Sequence, residues 1–139
     1  MRPVRTAIAT LLTMGTALGQ SPSVPATFTS AQVVRGAQLF LQHCAVCHGK
    51  AMQGKIGPAL KGHPFRATWF NASFQFTGKS LYKFVSQQMP LTAPGSLSKT
   101  DYLDLVSYIL SQNGIPAGAR PATRSSLARL ELWKAKPRS

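Results

Sequence analysis

Cys44 and Cys47 stand three apart and are followed at once by His48. Cysteines at this spacing lie about one helical turn apart, so both thiols project from one side. They are also the chain's entire cysteine complement, which excludes a multi-disulfide scaffold. A bond between the two would close a very small, strained loop. A zinc site would draw on Cys44, Cys47, His48 and His63, but structural zinc sites space their ligand pairs across two loops. A thioredoxin-like thiol pair needs a strand–helix–strand setting. No segment here shows sustained alternation of apolar and polar residues.

The pattern does match the attachment sequence of a c-type haem, C-x-x-C-H. Both sulfurs reach the vinyl groups on one porphyrin edge, and His48 falls under the iron to supply an axial imidazole. A sixth ligand must come from elsewhere. Met52 and His43 lie too near the motif to reach the opposite haem face, and Met1 and Met14 belong to the signal segment described below. Met89 is far enough along to wrap the haem edge, and Pro90 fixes the backbone beside it. Met89 is therefore the expected ligand, with His63 or an open position as alternatives.

Residues 1–19 read as a secretory signal peptide. Arg2 and Arg5 make a positive start, Ala7 to Leu18 carries no charge, and Ala17-Leu18-Gly19 is a small-x-small exit. Val24-Pro25-Ala26 offers a second exit. The apolar run falls short of the ~18–20 residues of a spanning helix. The expected location is the periplasm or another extracytoplasmic space, with the protein soluble after cleavage. In bacteria c-type haem is attached on that side of the membrane.

The 139 residues include 16 Lys+Arg and 3 Asp+Glu, a formal charge of +13. That length fits one domain, and an apolar content of 44% excludes wholesale disorder. Nucleic acid is a poor target for an exported haem protein. The charge reads instead as steering toward an acidic redox partner, with peripheral contact to anionic membrane as the alternative.

Residues 20–29, with two prolines, read as a leader. A helix is expected from Ser30 as cap to His43, with Val33, Ala37, Phe40 and Leu41 at helical spacing. Gly49 to Phe65, rich in glycine and proline, reads as a loop. A second helix runs from Gly78 to Gln88, with Leu81, Phe84 and Val85 on one side, and stops at Met89-Pro90. After a loop to Leu97, Ser98 and Asp101 form a variant capping box. Tyr102, Leu105, Val106, Ile109 and Leu110 then make an apolar stripe, ended by Asn113-Gly114 and Pro116. Residues 119–139 form a basic tail, with a short helix from about Ser125 to Ala135 lined by Leu127, Leu130 and Trp133. The fold class is mainly α.

From about Ser30 to Gly118 the chain resembles a class I cytochrome c. The resemblance rests on Gly36-x-x-x-Phe40, Cys44-x-x-Cys47-His48-Gly49, Gly57-Pro58-Ala59-Leu60, Gln88-Met89-Pro90 and the final helix. Met89-Pro90-Leu91, Pro94-Gly95-Ser96-Leu97-Ser98 and Tyr108-Ile109-Leu110 are similar to the haem domain of quinoprotein alcohol dehydrogenases. The resemblance implies a small single-domain fold, residues 30–118, with helices wrapped around one covalently attached haem c. It implies that the first helix crosses the last at Gly36, with Phe40 and Tyr108 at the crossing. It also implies that the Pro58 carbonyl accepts a hydrogen bond from the second nitrogen of His48, fixing the ring. Trp69 would lie beside the haem propionates or in the core.

The function so implied is that of a monohaem carrier, not an enzyme. It would pass single electrons between periplasmic partners such as a quinoprotein dehydrogenase or a terminal oxidase. The alternative is a ligand-binding or catalytic haem protein, a sensor or peroxidase, in which Met89 is labile. The basic tail lies outside the family pattern.

Overall fold

Gly36 sits where two long helices cross. In the computed structural model, which describes residues 27–135, α1 (Ser30–His43) packs across α5 (Lys99–Gln112). A Cβ at Gly36 would collide with the Asp104 carbonyl and with Cβ of Tyr108, so hydrogen alone permits this approach. One turn on, the rings of Phe40 and Tyr108 meet at 5.6 Å. Arg35 spans the same seam, its Nε donating to Asp104 Oδ2 at 2.6 Å and a terminal nitrogen to Oδ1 at 3.2 Å. Asp104 is buried, and a buried carboxylate persists where a cation and hydrogen bonds answer it. The crossing implied by the family resemblance is present.

The remaining elements are α2 (Ala45–His48), α3 (His63–Trp69), α4 (Gly78–Gln88), α6 (Arg124–Ala128) and a 3-10 turn at Leu132–Lys134. Among the described residues the only strand-like pairing is a single bridge between Thr77 and Glu131. The mainly α expectation holds. No described helix is long and apolar enough to cross a membrane. The signal segment 1–19 and most of the leader lie outside the described residues.

Side-chain caps set where the helices begin. Ser98 accepts from the Asp101 amide at 3.1 Å, and the Asp101 carboxylate takes the Ser98 amide at 3.3 Å, as the sequence predicts. α1 differs. Thr29, not Ser30, is the cap, because Gln32 three residues on closes a full capping box with it. The same Gln32 Oε1 also accepts the Ala122 amide at 2.6 Å, which ties the start of the first helix to the C-terminal stretch.

That stretch is the larger correction. Leu127, Leu130 and Leu132 are among the most deeply buried side chains. Gly78 N donates to Leu130 O at 2.9 Å, and Leu132 N to Phe76 O at 3.0 Å. The segment read as a basic tail is thus built into the core as far as Ala135. The expected Ser125–Ala135 helix stops at Ala128, and the following turn buries Leu132 in place of Trp133. The last leader residues join the core too: Phe28 is buried, and its carbonyl accepts from Gly118 N at 2.7 Å.

Two smaller departures concern apolar positions. Leu41 and Phe84, expected on packed stripes, are 56% and 47% exposed. Phe84 turns outward onto Trp69, with 5.6 Å between ring centres. The loop expected over Gly49–Phe65 also yields α3, with Pro64 in its first turn. Phe65, Phe76 and Phe84 pack around Trp69 in an aromatic cluster.

Candidate haem site

A single helical turn presents the motif. His48 N donates to Cys44 O at 2.9 Å and Gly49 N to Ala45 O at 2.9 Å. Gly49 then leaves the helix with φ of +80°, a left-handed value that suits glycine. The following loop folds back and satisfies the carbonyls at the end of the turn. Gly54 N donates to His48 O and Gly57 N to Cys47 O, both at 2.9 Å. Neither Cys44 nor Cys47 is in a disulfide, and both are partly buried. Burial, and then the neighbouring Cys47, pushes the Cys44 thiol up to about 11.

His48 is buried, with Nδ1 at 2.8 Å from the Pro58 carbonyl. A carbonyl only accepts, so Nδ1 carries the proton and Nε2 keeps a free lone pair for a metal. Gly57 makes this arrangement fit, because a Cβ there would come within 2.8 Å of His48 Cε1. The loop is then stapled to the end of α5. Asn113, itself buried, donates through Nδ2 to Leu60 O at 2.9 Å and accepts the Gly62 amide at 3.1 Å. In the sequence Asn113 reads only as a helix stop; its staple joins positions about fifty residues apart and leaves no local signal.

Met89 ends α4, with its amide donating to Val85 O at 3.0 Å. Its carbonyl accepts the Tyr102 hydroxyl hydrogen at 2.7 Å, and that hydroxyl oxygen accepts the Leu97 amide at 3.4 Å. Tyr102 is buried, so the Met89 backbone is fixed from α5. The Met89 side chain is half-buried against the core. His43 and His63 are exposed. Met52 is wholly buried in the core.

These residues fit a haem better than a bare ion. Among the described residues no group of three or more His, Cys, Asp or Glu gathers as a metal site. Each segment that carries a proposed contact also carries an exposed apolar side chain. Val46 lies between the cysteines, Ile56 beside Gly57-Pro58 and Leu91 just past Met89-Pro90, and they are 69%, 79% and 76% exposed. Apolar side chains beside all three segments suit the edge of a macrocycle. Trp69, left between two places by the sequence, packs in the aromatic cluster.

A family model described as Cytochrome c matches residues 33–113. Thiosulfate dehydrogenase of Stutzerimonas stutzeri is 32% identical over 96 residues, which is 65% of this chain and 30% of that relative. The chain therefore spans under a third of that relative's length. Among solved structures, the sulfane dehydrogenase SoxCD from Paracoccus pantotrophus aligns with a TM-score of 0.54 at 21% identity. The alignment covers 84% of this chain and 68% of that one, a likeness of fold. Thiosulfate dehydrogenase from Marichromatium purpuratum aligns with a TM-score of 0.46 at 27% identity, over 63% of this chain and 20% of that one.

Proposed function

The chain belongs to the cytochrome c family, electron-transfer proteins with covalently bound haem c, and on that premise we propose that it is an exported carrier passing single electrons between periplasmic redox proteins. In this reading Cys44 and Cys47 would hold the haem, His48 and Met89 would ligate its iron, and Pro58 would orient His48. When bound, the haem iron supplies one-electron exchange between Fe(III) and Fe(II).

The remaining work falls to the chain. The observation that carries the reading is that both proposed ligand residues are held from elsewhere in the chain, the His48 ring by the Pro58 carbonyl at 2.8 Å and the Met89 backbone by Tyr102 at 2.7 Å. Ligands held in this way would change little between oxidation states, which suits a carrier. The Pro58 contact fixes the orientation of the His48 ring. A thioether ligand from Met89 would favour the reduced state relative to two imidazoles.

Export is supported by Arg2, Arg5, the uncharged run Ala7 to Leu18, and the small residues Ala17 and Gly19. A dehydrogenase as electron donor is supported by the relative named thiosulfate dehydrogenase and by the likeness to quinoprotein haem domains. A formal charge of +13 supports partners with acidic surfaces, approached at rates that fall with salt.

The test is a visible spectrum of the mature protein, oxidised and reduced, with and without carbon monoxide. A low-spin reduced spectrum, a long-wavelength methionine–iron band when oxidised, and indifference to carbon monoxide are expected. Met89→Ala should remove that band. A high-spin or carbon-monoxide-sensitive wild-type spectrum would replace the carrier reading with a ligand-binding or catalytic haem protein.

A further inference from the structure

The chain has only three acidic residues, and the structure engages all of them. Asp101 closes the α5 cap, Asp104 holds Arg35, and Glu131 pairs with Lys134 at 2.9 Å. Lys79, Lys83, Lys99 and Arg124 are exposed, and none of them forms an ion pair among the described residues. These four cations converge on one place. They line a cleft of about 440 Å³ between α4, the start of α5 and the start of α6, floored by Tyr82 and Tyr102. A second hollow shares Lys79, Tyr82, Lys99 and Arg124 with it, so the two run together as a groove. No acid lines either part.

We infer that this groove is a docking site for an acidic segment of a partner protein. The inference names the surface on which the proposed carrier meets its redox partner, and it rests on that reading. Lys79 and Lys83 are separated by one turn of α4, about 6 Å along its axis. The other two charges come from separate helices. Four cations brought together from three helices call for several negative charges, which carboxylates along an extended segment supply and one small anion does not. Half-buried Leu97 gives apolar surface between the charges, with the buried Tyr82 and Tyr102 beneath it.

Two features tie the groove to function. Arg124 comes from the C-terminal stretch beyond the residues matched by the family model, 33–113, so this chain adds a charge to a surface otherwise built by α4 and α5. Tyr102 lines the groove and donates to Met89 O at 2.7 Å. A segment seated there lies one hydrogen bond from the backbone of the proposed iron ligand.

The test uses the full-length haem-loaded protein and a fluorescent hexaglutamate peptide, with hexaglutamine as the neutral probe. Hexaglutamate should bind, lose affinity as salt rises, and outbind hexaglutamine. The double variant Lys83→Glu/Arg124→Glu should weaken binding by about tenfold, two attractions becoming two repulsions. Lys50→Glu/Lys61→Glu, an equal charge change at exposed sites outside the groove, should leave it within about twofold. Equal losses in both double variants would mean diffuse attraction and overturn the groove. Displacement by sulfate at matched ionic strength would mean a small-anion site and overturn it equally. The spectrum of the same sample separates this from the carrier reading. Normal haem bands with no selectivity between the double variants reject the groove alone, while a colourless protein with selective binding rejects the carrier alone.

Discussion

Tyr102 donates its hydroxyl hydrogen to the carbonyl oxygen of Met89 at 2.7 Å, from a ring that is 3% exposed. The bond fixes the Met89 backbone through a helix to which that residue does not belong. Asn113, near the other end of α5, does the same for the loop that presents Pro58 to His48. One helix thus holds the backbone of Met89 and the loop that faces His48.

Tyr102→Phe removes that hydroxyl and keeps the ring. A net loss of about 1 kcal/mol in stability is expected for the missing hydrogen bond. The sharper expectation is spectroscopic: a weaker methionine–iron band and measurable carbon monoxide binding to reduced protein. An unchanged band would mean that Met89 is held without Tyr102.

Gly57→Ala tests the other face. The added methyl meets the His48 ring, 2.8 Å from Cε1 and 3.0 Å from Nδ1, closer than ordinary contact. Either the ring or the loop must shift, which disturbs the His48–Pro58 contact. The expected result is a shifted reduction potential, together with about 1–3 kcal/mol of overpacking cost. Potentiometry and thermal unfolding on one sample check both.

Asn113→Ala should open the loop rather than the helix. It leaves Leu60 O and Gly62 N without the side-chain partners they have at 2.9 and 3.1 Å. The expected cost is about 1–3 kcal/mol, and limited proteolysis should cut first within residues 50–62. Cleavage starting elsewhere would show that the loop holds without its staple.

Leu132→Ala should cost about 2–5 kcal/mol, because the side chain is fully buried. Trp133→Ala, at a half-buried neighbour, should cost clearly less despite the larger residue. Equal costs in denaturant unfolding would contradict the packing of the C-terminal stretch.

The legible parts of this molecule are those encoded over a few residues. The Cys44–His48 turn, the Ser98–Asp101 cap and the bounds of α4 follow from local spacing, and the structure reproduces them. Gly36 at the α1–α5 crossing was readable only through the family resemblance, since nothing beside it indicates what it faces. The illegible parts depend on distant partners. α3 is a seven-residue helix whose Trp69 packs on Phe76 and Phe84, so its own sequence carries little signal. The leucines of the C-terminal stretch stand among arginines, and their burial is decided by Phe76 and Gly78, which hydrogen-bond that stretch. Arg35 looks like one more surface cation until α5 brings Asp104 beneath it.

The hydrogen bond from Ala122 N to Gln32 Oε1 closes a span of 90 residues, and Phe28 is likewise held by Gly118. A chain that emerges from its N-terminus therefore cannot finish packing its first helix until nearly the whole domain has appeared. During that interval Cys44 and Cys47 are already out while the Asn113 staple behind His48 has yet to arrive. The clasp thus joins the two distant ends of the fold in one condition: residues 118–122 must be present before Phe28 and Gln32 have the partners that seat the first helix.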